Sequence, residues 1–163
     1  APTFCPPKSI NTEMGITREI REKMNQAQKY AVIEMGAYNV GSIDRLCKLT
    51  PPQAGLITVV GMAHLERYGS VERVYKAKSE LAKWVPEDGI LVCNGDNEGA
   101  RRMSVEFPKK TTLLYGMKPE IGKLDCVASN VEFSLEGTSF KIKWKDKEYN
   151  GFTKLLVFHS RPL

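Results

Sequence analysis

Four short apolar runs recur along this chain: Tyr30-Ala31-Val32-Ile33, Leu56-Ile57-Thr58-Val59-Val60, Ile90-Leu91-Val92-Cys93 and Thr111-Thr112-Leu113-Leu114-Tyr115. Continuous rather than alternating apolar character suits strands covered on both faces. The first three intervals each hold a helix-length amphipathic segment, and strands separated by helices line up parallel through crossovers. Ser42 opens a short helix carrying Ile43, Leu46 and Cys47, which Pro51 and Pro52 end. Residues 70–85 form the clearest helix, with Ser70 as its N-cap and Glu72 in the first turn. Residues 97–107 read as another. Residues 17–28 read as a charged helix with Ile16, Ile20 and Met24 on one face, after an irregular start over residues 1–15.

The character changes near residue 124. Segments 126–135, 139–144 and 149–158 read as strands joined by turns at Glu136-Gly137 and Lys145-Asp146-Lys147. The expected fold is therefore α/β: a three-layer, mostly parallel sheet with flanking helices over residues 1–117, and an antiparallel β-meander over residues 124–163.

With 163 residues the chain can bury a real core as one domain. Its 24 basic and 19 acidic residues give a formal charge of +5. Lys141, Lys143, Lys145 and Lys147 alternate. That is the pattern of a solvated hairpin face, although a basic hairpin can also meet nucleic acid. The solvated reading is preferred, and no nucleic-acid partner is expected. Cys5, Cys47, Cys93 and Cys126 are scattered without a C-x-x-C pair, so neither a zinc site nor a disulfide framework is indicated. A reducing, cytoplasmic setting is expected. No apolar run reaches membrane-spanning length, and no signal peptide opens the sequence.

Several residues with chemistry fall at or just after strand ends, where open α/β sheets place their ligands. Glu34 follows an apolar run and precedes Met35-Gly36. A carboxylate there can hold magnesium beside phosphates, or can cap the next segment. His64 lies in the loop after the second strand, as a metal ligand or as a structural histidine. Lys78 sits four residues after Val74 and three before Leu81, hence on or beside the apolar face of its helix. Its stem can pack while its amine reaches water, or the amine can be desolvated, lose its proton and become able to form a carbamate with carbon dioxide. Asn94, Asp96 and Asn97 open a helix, where they can act as caps or meet a nucleotide. Gly36 and Gly41 have the glycine spacing of a phosphate loop, but Ser42 follows where lysine is required, so that reading fails.

The segments Val32-Ile33-Glu34-Met35-Gly36-Ala37, Ala63-His64-Leu65-Glu66-Arg67-Tyr68-Gly69-Ser70, Lys76-Ala77-Lys78-Ser79-Glu80 and Asn94-Gly95-Asp96-Asn97 occur in the order and spacing of one family. With Ser9-Ile10-Asn11-Thr12-Glu13-Met14-Gly15-Ile16 they make nearly the whole chain resemble the central domain of the Mur ligases, the ATP-dependent amide ligases of peptidoglycan precursor synthesis. The likeness is greatest to the branch that adds D-alanyl-D-alanine to a UDP-linked peptide. Folylpolyglutamate and cyanophycin synthetases share that central domain, and a non-catalytic binding or scaffold module is a further alternative.

The resemblance implies ATP and Mg2+ as cofactors. Glu34 and His64 would belong to one magnesium site, and a carbamylated Lys78 would bear on a second. Asn11, Asn94, Asp96 and Asn97 would lie by the nucleotide, with Gly95 standing where the family has alanine. ATP would phosphorylate the carboxylate of the UDP-linked peptide, and an amine would attack the acyl phosphate. The family's lysine-bearing phosphate loop is expected before Ala1, and its G-R-H-N segment after Leu163. The UDP-binding and amine-binding domains are expected outside this segment too. The segment alone is then expected to be inactive, with an exposed sheet edge that a second copy could cover.

Overall fold

A computed structural model describes residues 1–7, 9–61 and 69–154. The first helix, α1 (Glu13–Lys23), starts earlier than the apolar spacing indicates because the Thr12 hydroxyl accepts the Gly15 N–H and caps it. It also ends earlier. Just beyond it, the Asn25 side chain accepts from Ala27 N while Gln28 Oε1 accepts from Asn25 N, closing a turn that competes with further helix.

Strand β1 (Thr3–Phe4) pairs in parallel with β2 (Tyr30–Ala31) as a small sheet of its own. The expectation of a doubly covered strand over residues 30–33 is corrected here. Only two residues are in strand, and Tyr30 is 63% and Val32 59% exposed. Among the described residues β1 is the only strand paired with β2, so its apolar side chains have nothing to pack under.

The main sheet has the order β3-β4-β5-β6-β7-β8. Strands β3 (Ala54–Ile57), β4 (Ile90–Asn94) and β5 (Thr111–Gly116) are parallel. Strand β6 (Cys126–Ser134) continues parallel to β5 only at Tyr115↔Cys126 and Gly116↔Val127. Strands β7 (Gly137–Trp144) and β8 (Lys147–Thr153) complete the antiparallel meander. The expected parallel sheet with an appended meander is therefore present as one continuous sheet; residues 155–158 of the expected last strand lie outside the described residues.

Helix α2 (Ser42–Leu49) has Gly41, not Ser42, at its N-cap. Helix α3 (Val71–Trp84) is capped by Ser70, whose hydroxyl accepts from Arg73 N, and α4 (Glu98–Glu106) by Asn97. Register explains the core. Ile57, Cys93 and Leu114 are partners across three strands and so share a face. Val74, Tyr75 and Ala77 of α3 and Ala100 and Met103 of α4 pack on that face with Leu91 and Cys93. Each fully buried aliphatic side chain there contributes roughly 1.5–3 kcal/mol. The opposite face, read from the alternate residues, leaves Leu56 57% and Ile90 42% exposed. Two of the three expected layers thus come from the described residues.

Candidate functional site

The segment joining β2 to α2 carries Glu34, and hydrogen bonds pin it at both ends. At its start the Asn11 backbone carbonyl accepts from Gly36 N at 2.9 Å, and Asn11 Nδ2 donates to Glu34 Oε1 at 3.0 Å. The Tyr38 hydroxyl donates to Asn11 Oδ1 at 2.9 Å, which fixes the amide the right way round. Asn11 thus joins the chain ahead of α1 to the carboxylate 23 residues later. Gly36 is required by close approach: a Cβ there would lie 2.8 Å from Asn11 O and 2.6 Å from the Tyr38 ring. Glu34 Oε2 has no hydrogen bond among the described residues.

At the other end of the segment, Glu80 of α3 is 8% exposed, and its two carboxylate oxygens accept from Gly41 N (2.5 Å) and Asp44 N (2.9 Å). Gly41 has no side chain with which to cap α2, so Glu80 caps it from a neighbouring helix, where the helix dipole also favours a negative charge. Trp84 Nε1 donates to Asp44 Oδ1 at 2.8 Å and ties the same two helices farther along. The Lys48 and Trp84 hydrogen bonds hold the Asp44 carboxyl below the usual range. Sequence reasoning passed over Tyr38 and Glu80. A helix whose N-cap is glycine, facing a buried acid in the next helix, was the available signal for Glu80.

Lys78 lies half-buried on α3. Burial desolvates its ammonium and lowers its pKa from the ordinary lysine value. It has no hydrogen bond or ion pair with any described residue, and no described group of three His, Cys, Asp or Glu side chains forms a metal cluster. His64 lies outside the described residues.

The loop after β4 is a scaffold. Asn94 Oδ1 accepts from Asp96 N at 2.9 Å. Both Asp96 oxygens accept backbone N–H groups beyond β5, from Met117 at 2.7 Å and Lys118 at 3.0 Å. Asn97 Oδ1 accepts from Ala100 N and Val60 N, both at 2.9 Å, and its Nδ2 donates to Val60 O at 3.2 Å. Together these bonds lock the C-terminal ends of β4 and β5 and the chain after β3 to the start of α4. A Cβ at Gly95 would come within 2.2 Å of Leu124 Cδ2, so an alanine there needs Leu124 to move. The structure brings Asn11 and Glu34 into contact and gathers Asn94, Asp96 and Asn97 at one sheet end.

Comparison with known proteins bears on what this scaffold is. The chain is 32% identical over 136 residues to the UDP-N-acetylmuramoyl-tripeptide–D-alanyl-D-alanine ligase of Escherichia coli (strain K12), a match covering 83% of this chain and 29% of that protein. It is 36% identical over 152 residues to the ligase of the same name from Bacillus subtilis (strain 168), covering 93% and 31%. The chain therefore spans a little under a third of the length of these relatives. Among solved structures, MurF ligase from Thermotoga maritima in complex with ADP superposes with a TM-score of 0.78 at 29% identity, covering 93% of this chain and 34% of that one. The sequence model of the Mur ligase middle domain matches residues 5–159, nearly end to end, and the chain belongs to that family.

Proposed function

We propose that the chain forms the magnesium and nucleotide face of an ATP-dependent ligase that joins D-alanyl-D-alanine to a UDP-linked muramoyl peptide. The observation that carries this is the Tyr38–Asn11–Glu34 chain of hydrogen bonds, which orients a carboxylate while leaving Oε2 without a partner among the described residues. An ionised carboxylate is a hard oxygen donor suited to magnesium. Glu34 would hold the ion with His64. Lys78 fits a second role: its lowered pKa favours the neutral amine, which can add to carbon dioxide, forming an N–C bond and releasing a proton, to give a carbamate anion. When bound, magnesium ATP supplies the transferable phosphoryl group and neutralises charge on its oxygens. The chain's own residues orient Glu34 through Asn11, fix the sheet ends through Asp96 and Asn97, and offer Asn94 and the start of α4 to the nucleotide.

The names of the E. coli and B. subtilis relatives favour this amine over the folylpolyglutamate or cyanophycin alternatives. No helix among the described residues is long and apolar enough to cross a membrane, consistent with a proposed cytoplasmic site of action on a UDP-linked precursor. Since these 163 residues hold no lysine-bearing phosphate loop, the chain alone should not turn over ATP. The outer edge of β3, unpaired among the described residues, can pair with a second copy, which light scattering would reveal as a dimer.

The test is calorimetric titration with ADP, with and without magnesium. Binding should require magnesium and weaken in Glu34→Gln. Binding indifferent to both would overturn the reading. A chimaera carrying residues 5–159 in place of the matched segment of the E. coli ligase should release phosphate only when D-alanyl-D-alanine and the UDP-peptide are both supplied.

A further inference from the structure

The sheet is split near its middle, and the split forms a cavity. Of the six residues of β5 only Tyr115 and Gly116 pair with β6. Below them Asp125 takes the place of a strand neighbour: its N–H donates to Leu114 O and its Oδ2 accepts from Leu114 N, both at 2.8 Å. The end of β7 and the turn after it project beside this gap, since Trp144 is the register partner of Cys126. The result is a cavity of about 360 Å³, within the range of small-molecule sites, with Leu113, Leu124 and Val127 as apolar lining.

Its charged lining is mainly basic. Lys123, Lys143 and Lys145 face it, against the single carboxylate of Asp125, one oxygen of which is already bonded. Neither Lys123 nor Lys143 has an ion pair among the described residues, although Glu148 stands directly across from Lys143 on β8. Lys145 instead sits over the Trp144 ring, 5.8 Å from its centroid. Trp144 lines the cavity too, and its indole N–H has no partner among the described residues. A tryptophan, an apolar lining and three lysines bordering one concavity match a planar aromatic group that carries phosphate. The alternating lysines of the hairpin therefore divide: Lys143 and Lys145 border the cavity, whereas Lys141 is not part of its lining.

We propose that the cleft between β5 and the β7–β8 turn, which adjoins the loop over residues 94–97 through Leu124, is a binding site for a small aromatic phosphate of mononucleotide size. The probe is UMP, titrated into the 15N-labelled chain. Trp84 and Trp144 are the only two tryptophans, so two indole N–H signals are available, assigned with Trp84→Phe. The Trp144 signal should shift and saturate while that of Trp84 stays still. Lys123→Ala and Lys143→Ala should each weaken binding about fivefold, with the rest of the spectrum unchanged as the check on folding, while Lys141→Ala should match wild type. Inorganic phosphate should bind about tenfold more weakly, for want of stacking on the indole. A Trp144 signal that does not move or never saturates would overturn the proposal. So would equal effects of Lys141→Ala and Lys143→Ala, or equal affinity for UMP and inorganic phosphate.

Discussion

Replacing Glu80 should damage this fold more than any other single change to a polar side chain among those described. Its carboxylate is 8% exposed and accepts two backbone N–H groups at the start of α2, from Gly41 at 2.5 Å and Asp44 at 2.9 Å. Each hydrogen bond to a charged acceptor contributes roughly 1.5–3 kcal/mol, and the helix dipole adds about 0.5 kcal/mol. Against this stands the cost of keeping the carboxylate out of water, which the variant no longer carries. We expect Glu80→Ala to lose about 3 kcal/mol net, since two N–H groups are left without acceptors. Glu80→Gln should lose roughly half as much, because its amide oxygen still serves one of them. Urea unfolding followed by far-UV circular dichroism reads both values. With a slope of about 2 kcal/mol per molar, the Glu80→Ala midpoint falls by roughly 1.5 M at unchanged slope. A Glu80→Ala midpoint indistinguishable from wild type would mean that α2 is capped by something else and that the anchoring of the Glu34 segment has been misread.

Other expectations follow from the same bonds. Tyr38→Phe removes the donor that fixes the Asn11 amide, and should weaken magnesium-dependent ADP binding about threefold in calorimetry, through a loss near 0.7 kcal/mol. Asn97→Ala loses an N-cap together with two bonds to Val60, and should cost about 2 kcal/mol in urea unfolding. The Tyr75 hydroxyl, ahead of Arg102, holds the Glu106 carboxyl below its ordinary 4.5. A depressed folded pKa gives stability that is present above 4.5 and lost as pH falls through the folded value, so the difference between wild type and Tyr75→Phe should shrink in acid unfolding curves. Lys78 gives a slope of the same sign at alkaline pH. Its folded pKa lies below the ordinary 10.5, so the unfolded chain binds more protons between those two values and stability rises with pH across that window. Lys78→Met should remove that rise in a pH series of thermal melts.

Local rules located the parts of the fold that they govern. Ser70 caps α3 and Asn97 caps α4 because each places a side-chain acceptor on the first free N–H groups, a requirement visible in residue type alone. The parallel order of β3, β4 and β5 follows from the alternation of strand-like and helix-like segments. The start of α1 was harder to see, since Gly15 and Thr17 disguise a first turn that Thr12 caps. The exposure of β2 could not be read from its apolar run. Apolar character shows that the side chains could be buried, not what covers them, and among the described residues only β1 pairs with this strand. Asn11 and Glu34 were both marked in the sequence, but their contact, and the tie from Glu80 to Gly41, join residues too far apart for spacing to reveal.

The polar residues of the four motifs separate by what the fold has already asked of them. Buried hydrogen-bonding capacity is nearly always satisfied, and a group bonded to its full capacity is held there by structure. Both oxygens of Asp96, both polar atoms of Asn97 and both oxygens of Glu80 are occupied by backbone partners on other elements. Each is a fastener between segments that would otherwise diverge. Glu34 and Lys78 differ. One carboxylate oxygen and the whole ammonium have no partner among the described residues, and Lys78 sits where burial penalises its charge. A half-buried ammonium without a counter-charge lowers stability, so packing alone gives no reason for a lysine there; methionine would fill the same space at less cost. On the reading proposed above, a carbamate at that nitrogen would supply the reason, since it would replace a penalised cation with an anion. The sequence motif Lys76-Ala77-Lys78-Ser79-Glu80 thus combines two kinds of residue two positions apart on one helix. Glu80 holds the end of the Glu34 segment in place, and Lys78 has no partner among the described residues.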